Sequence, residues 1–103
     1  MTWNWIGRAS VIVAALAGTA ALGADAGKGL QIARRWCASC HIIEPNQRTG
    51  SDAVPPFATV ARTPNLDASK IALFLLDPHP KMPDMSLTRD EAADLAAYIA
   101  TLK

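Results

Sequence analysis

The sequence predicts an all-α domain of three to five short helices, and three observations support this prediction. Apolar residues recur at helical spacing in separate stretches of the chain. Proline, glycine and asparagine separate these stretches and mark the turns between them. No stretch has the alternating or β-branched pattern that predicts a strand.

The first predicted helix covers residues 26 to 37, where Leu30, Ala33 and Cys37 share one face. Gly29 lies inside this helix, although a glycine there costs about 1 kcal/mol relative to alanine. Such a glycine usually marks a close approach of a neighbouring element. We therefore expect another helix to pack tightly at Gly29.

Both cysteines of the chain lie in Cys37-Ala38-Ser39-Cys40-His41. This spacing is the attachment signature of a c-type haem. On one helical turn the two thiols face the same way, so both can reach the vinyl groups along one porphyrin edge, and His41 can ligate the iron as the proximal ligand. The motif therefore predicts one covalent haem c, with the preceding Trp36 either at the haem rim or half-exposed at the helix end.

Other uses of two cysteines fit this chain less well. A dithiol redox motif belongs to a βαβ setting, and a structural zinc site needs four ligands although His79 is the only other histidine. A disulfide across so short a loop constrains little. In addition, a chain of 103 residues is small enough to need help with its core, and a covalent cofactor supplies that help.

Residues 42 to 52 are rich in turn-forming residues and predict a surface loop. Pro55 and Pro56 then open a short helix that runs to about Ala61. A histidine bound to a metal nearly always donates its other ring proton to a carbonyl or carboxylate. We expect the carbonyl of Pro55 to accept this proton from His41. The alternative is that the two prolines only start the helix.

Asp67 has the position of an N-cap for the next helix, which is apolar on nearly all sides and ends before Pro78. One face meeting a haem and another meeting the protein core would explain this pattern.

An extended segment follows, and it carries Met82 and Met85, the only methionines beyond the N-terminal stretch. Methionine usually fills gaps in a core, but this segment is polar and fixed by prolines, which suits a ligand for the other haem face. We expect Met82 to be that ligand, since Pro80 and Pro83 hold its backbone extended. Met85 and His79 are the alternatives.

A capping box formed by Thr88 and Glu91 announces the last helix. Its apolar stripe consists of Ala92, Leu95, Tyr98, Ile99 and Leu102. We expect this stripe to pack on the first helix, because Gly29, Ile32 and Ala33 allow two helices to cross closely.

The N-terminal stretch has a short positive start, an apolar run and small residues after it, so residues 1 to 23 predict a secretory signal peptide and residues 24 to 103 the folded domain. Cleavage after Gly23 or after Ala26 satisfies the small-x-small rule. The alternative is an uncleaved membrane anchor, although Arg8 interrupts an apolar run that is already short for a membrane span.

The chain without residues 1 to 23 is formally neutral, because nine Lys and Arg balance nine Asp and Glu. A nucleic-acid partner would require a basic patch, and this neutral charge gives no sign of one.

The mature chain carries a series of motifs, which are, in order, Gly29, the haem motif, Pro55-Pro56-Phe57, Met82-Pro83, Leu87-Thr88 with Glu91, and Leu95 to Ile99. This series resembles the small bacterial class I cytochromes c, and the resemblance covers the whole mature chain. The resemblance implies the class I cytochrome c fold, with crossed N- and C-terminal helices around one covalent haem. It also implies attachment at Cys37 and Cys40, axial ligation by His41 and Met82, and orientation of His41 by Pro55.

With His41 and Met82 both on the iron, the expected function is one-electron transfer, and the predicted signal peptide places the protein in the periplasm, where we expect a monomer. No Ser-His-Asp set, carboxylate pair or phosphate-binding loop is evident in the sequence, so we do not expect an enzyme. The redox partners would be a dehydrogenase, an oxidase or a membrane complex, and the membrane itself would be a partner only if the N-terminal segment is uncleaved. One alternative is a haem subunit dedicated to an exported dehydrogenase. Another is a haem sensor or peroxidase, in which Met82 leaves the iron.

Overall fold

The structure is a computed structural model, and it describes residues 23–51, 53–77 and 81–103. Its four helices are α1 (Ala26–Trp36), α2 (Phe57–Ala61), α3 (Ala68–Leu76) and α4 (Arg89–Ala100). No strand occurs in these three ranges, so the all-α prediction is confirmed. The predicted signal peptide up to residue 22 and the segment 78–80, with His79 and Pro80, lie outside the described residues.

Asp25 caps α1 and Asp67 caps α3, and of these two caps the sequence predicted only Asp67. The Asp25 side chain accepts a hydrogen bond from the backbone N–H of Lys28 (3.1 Å) at the start of α1. In α3, Asp67 accepts one from the backbone N–H of Lys70 (2.9 Å). These caps satisfy donors that the first helical turn cannot pair internally. Helices α1 and α3 therefore start at a defined residue, whereas α2 follows Pro56 without a side-chain cap.

The capping box of α4 has both of its hydrogen bonds. The backbone N–H of Glu91 donates to the Thr88 hydroxyl (3.1 Å), and the backbone N–H of Thr88 donates to the Glu91 carboxylate (3.0 Å). The bond from the Thr88 backbone N–H is the largest cause that lowers the pKa of Glu91, because it stabilises the ionised carboxylate.

Helix α4 lies at the centre of the fold and contacts α1, α2 and α3. The buried apolar side chains come from all four helices, from the cysteine motif and from the loop after it. They are Ala33, Cys37, Ile43, Phe57, Ala61, Ile71, Ala92, Leu95, Ala96, Tyr98 and Ile99. This core agrees with the apolar stripe predicted for the last helix, except that Leu102 lies just beyond the end of α4 and is half-buried.

The contact between α1 and α4 depends on Gly29, which is buried. A Cβ atom added there would overlap the backbone carbonyl of Asp94 and lie 2.8 Å from Cβ of Tyr98. The backbone N–H of Asp25 also donates to the Asp94 carboxylate (2.7 Å), which ties the start of α1 to α4. The close approach expected at Gly29 is therefore present.

Helix α3 buries little of its apolar surface against the rest of the polypeptide. Leu73 is 68% exposed and Leu76 is 38% exposed, whereas Ile71 is buried.

No helix in the described part of the chain is long and apolar enough to span a membrane.

Candidate functional site

The motif that begins at Cys37 continues the path of α1 by one further turn. The backbone N–H of Cys37 donates to the carbonyl of Ala33 (2.9 Å), and the N–H of His41 donates to the carbonyl of Cys37 (2.8 Å). Both bonds join residues four apart, as in an α-helix. The backbone therefore holds the motif as a compact turn at the end of α1.

The two cysteines of this turn differ in their surroundings, and no disulfide joins them. Cys37 is buried, and this burial raises the pKa of its thiol to about 11, because a thiolate is poorly solvated there. Cys40 is exposed, and the Ser39 hydroxyl lies 3.9 Å from its sulfur atom. One cysteine of the motif is thus buried and the other is exposed.

The imidazole of His41 is held at its Nδ1 atom, which lies 2.7 Å from the carbonyl oxygen of Pro55. A carbonyl oxygen only accepts hydrogen bonds, so Nδ1 carries the ring proton and Nε2 keeps its lone pair. The Phe57 ring packs beside the imidazole, with ring centroids 5.3 Å apart and planes inclined at 47°. His41 is thus in the tautomer that can bind a metal through Nε2.

The loop after His41 is fixed to both terminal helices. Ile43 is buried, and its carbonyl accepts a 2.6 Å hydrogen bond from the Tyr98 hydroxyl of α4. Glu44 pairs with Arg34 of α1 through two hydrogen bonds of 2.9 and 2.8 Å. This pairing lowers the pKa of Glu44 and raises that of Arg34, because each charge stabilises the other.

The side chain of Gln47 makes several hydrogen bonds to the backbone of the same loop and of the cysteine motif. Its amide nitrogen lies within hydrogen-bond distance of three carbonyls, those of Ala38, His41 and Thr49, and its amide oxygen accepts from the N–H of Ile43. Sequence reasoning missed this residue, because a polar side chain among turn formers has no periodicity or spacing that predicts an inward direction.

The other predicted site residues lie on separate parts of the chain. Met82 and Met85 are both half-buried in the segment between α3 and α4. In this segment Ser86 has a positive φ of 51°, and its N–H donates to the Asp84 carboxylate (2.8 Å). Trp36 is 46% exposed, and the Arg35 guanidinium lies 5.3 Å from the centre of its ring.

These residues fit a haem. The motif supplies two thiols, and the hydrogen bond to Pro55 leaves a histidine Nε2 lone pair for iron. The polypeptide also has exposed apolar side chains on α3, notably Leu73 and Leu76, of the kind that pack against a macrocycle. The donor set and the apolar surface together match a covalently attached porphyrin.

Comparisons with known proteins point the same way. Residues 24–103 match the family model described as Cytochrome c. The chain is 53% identical over 93 residues to a protein named Cytochrome c-552 from Bradyrhizobium diazoefficiens, and the match covers 90% of this chain and 89% of that protein. No solved structure matches the chain.

Proposed function

This chain belongs to the cytochrome c family, and on this premise we propose that Cys37 and Cys40 hold its haem while His41 and Met82 ligate the iron. Proteins of this family carry one covalent haem c, so the protein is a haem c electron carrier and not an enzyme. Its partners are therefore redox proteins.

The hydrogen bond between His41 Nδ1 and the Pro55 carbonyl is the observation that carries the proposed ligand set. It fixes both the tautomer and the direction of the ring, so that Nε2 is free for iron. The backbone bond from His41 to Cys37 fixes the same residue from the other side. A histidine held at both points binds iron with little rearrangement of the protein.

The haem supplies the redox chemistry, because its iron gains or loses one electron between the ferric and ferrous states. The chain sets the conditions for that transfer. His41 and Met82 would be the two protein ligands of the iron, and together they would leave oxygen or peroxide no site to bind. The apolar side chains of α3 would keep water from the haem faces, and a methionine ligand favours the ferrous state.

For the distal ligand we propose Met82 over Met85. The two residues are three apart with Pro83 between them, so a single backbone path can present only one sulfur to the haem. Pro83 directly follows Met82 and restricts its backbone to extended conformations. This restriction lowers the conformational entropy that Met82 would lose on binding iron.

We also propose that the carrier works in the periplasm as a monomer. Residues 1 to 23 have the composition of a signal peptide that is removed on export. A dehydrogenase, an oxidase or a membrane complex would then donate or accept the electron. Isolation of the mature protein from its native periplasm, with identification of whatever binds it, distinguishes a diffusing carrier from a dedicated subunit.

The experiment that tests the proposed attachment is intact-mass measurement of the protein after expression with haem-attachment machinery. We expect the mature polypeptide plus one haem for the wild type and for Ser39→Ala, the control between the two cysteines. Cys37→Ala and Cys40→Ala should yield little or no holoprotein, because each loses a thioether bond. A wild-type mass equal to the bare polypeptide would contradict the proposal.

A further inference from the structure

The carbonyls of Cys40, His41 and Ile42 are three successive acceptors around the proposed proximal ligand. The backbone N–H of Ser51 donates to Cys40 (2.9 Å), and that of Phe57 donates to Ile42 (2.9 Å). Between these two backbone bonds, the carbonyl of His41 accepts from the side chain of Gln47 (2.7 Å). Among the described residues no backbone N–H donates to the His41 carbonyl, and Gln47 supplies the donor at this middle position.

The orientation of the Gln47 amide follows from its neighbours. Its nitrogen lies 3.0 Å from the carbonyl of Ala38, 2.7 Å from that of His41 and 2.7 Å from that of Thr49. The opposite orientation would place the amide oxygen against three carbonyl oxygens, and would leave the N–H of Ile43 facing a donor. The two amide protons are therefore committed to carbonyls of the loop.

These contacts join two points of the motif turn, Ala38 and His41, to the loop that follows it. Ala38 lies between the cysteines, His41 ends the motif, and Thr49 begins the return of the chain towards Pro55. Gln47 is half-buried, so its hydrogen bonds compete less with water than those of an exposed side chain. Loss of the Gln47 side chain would therefore remove the hydrogen bonds to Ala38, His41 and Thr49 together.

We propose that Gln47 is a positioning residue for the axial histidine. It holds the backbone carbonyl of His41 while Pro55 holds the ring, so the imidazole is fixed at both ends. This inference rests on the proposed ligation of iron by His41. A hydrogen bond at Nδ1 raises the basicity of a histidine ligand, and a more basic ligand favours the ferric state.

Loss of the Gln47 contacts would loosen the backbone of His41 and weaken the bond from Nδ1 to Pro55. The reduction potential should then rise, because the imidazole becomes a poorer electron donor to iron. The ring proton on Nδ1 should also exchange with solvent faster. We expect an acceleration of about fivefold or more, as follows from the loss of one net hydrogen bond.

The test compares the holoprotein with Gln47→Leu, which keeps the bulk of the side chain without a donor or a possible iron ligand, and with Gln47→Ala. The readouts are the midpoint potential and the exchange rate of the His41 ring proton measured by NMR. Gln31→Ala is the matched control, because Gln31 is an exposed glutamine on α1. Leu95→Ala is the control for stability, since it creates a cavity in the core.

The positioning role is supported if both Gln47 variants show a higher reduction potential and faster exchange of the His41 ring proton. Neither change should occur in Gln31→Ala or Leu95→Ala. Reduced stability with an unchanged potential and exchange rate, as expected for Leu95→Ala, would overturn it. If both Gln47 variants fail to fold, NMR of the wild-type holoprotein provides the test. Two distinct side-chain amide protons of Gln47 that exchange slowly with solvent would support the role. Two averaged amide protons that exchange fast would overturn it. A wild-type spectrum without an iron-bound histidine would overturn the ligand set itself, which separates that failure from this one.

Discussion

His41 is the residue whose surroundings the structure defines most fully. Its backbone N–H, its carbonyl and its ring Nδ1 each have a hydrogen-bond partner, at 2.8, 2.7 and 2.7 Å. The sequence predicted the Pro55 contact, because a metal-bound histidine needs an acceptor and a proline-rich segment follows the motif. It could not predict the partner of the carbonyl, since nothing in the loop singles out Gln47 from its polar neighbours.

A pair of substitutions decides whether Met82 or Met85 is the distal ligand of the iron. We expect Met82→Ala to open the sixth coordination position, lower the reduction potential and allow the reduced iron to bind carbon monoxide, because methionine ligation raises the potential and blocks that position. Met85→Ala is the matched control and should leave the absorption spectrum nearly unchanged. The reverse pattern would make Met85 the ligand.

The ion pair between Arg34 and Glu44 should make a small contribution to stability that depends on pH. The pairing lowers the pKa of Glu44 in the folded state, so its contribution is present above the pKa of the unfolded state and is lost as the pH falls through the folded value. We expect Arg34→Gln to lower the urea midpoint slightly at neutral pH, and the difference to vanish in acid and at high salt.

Arg35→Gln is the control for this prediction, because Arg35 lies over Trp36 and takes no part in the ion pair. Urea titrations across the acid range, followed at the haem band, provide the measurement. A loss in Arg34→Gln that is the same at every pH and salt concentration would show that packing of the side chain, and not the charge pair, is responsible.

Among the elements, the contact between α1 and α4 has the least tolerance for change. Gly29→Ala places a methyl group against the backbone of Asp94, which cannot move without shifting α4. We expect a loss of about 1 to 3 kcal/mol or more in the free energy of unfolding. Denaturant titration followed at the haem band measures this loss.

Gly27→Ala is the matched control on the same helix. Its added Cβ would lie 3.2 Å from the Asp25 carboxylate oxygen that caps α1, and this exposed side chain needs to shift by only a few tenths of an ångström to make room. Alanine is about 1 kcal/mol better than glycine in a helix, so the stability should stay unchanged or rise. Equal destabilisation by both substitutions would mean that the helix contact at Gly29 is not tight.

The elements were also the part of the fold that the sequence predicted best. Asp67 and the pair Thr88 and Glu91 gave the starts of α3 and α4, because a cap is a local signal of two or three residues. The expected end of the first helix at residue 37 differs by one residue from the observed end at Trp36. The tie from Tyr98 to Ile43 could not be predicted, since it joins residues 55 positions apart in the sequence.

At the scale of the whole molecule, the polypeptide has a small core beside an exposed apolar surface. Ile43 and Leu95 are the largest side chains that the described residues bury fully, while Leu73 on α3 is 68% exposed. A domain of this size needs a further source of stability. A covalent haem c packed on this surface would provide it, so the group that carries the electron would also complete the core.

The most direct test of the account is exposure of the reduced wild-type holoprotein to carbon monoxide while its absorption spectrum is recorded. An electron carrier with His41 and Met82 on the iron has both axial positions filled, and we expect no change in the haem bands at neutral pH. A shift of these bands on addition of carbon monoxide would show a free or readily vacated position on the iron. That result would contradict the carrier mechanism and favour a sensor or peroxidase.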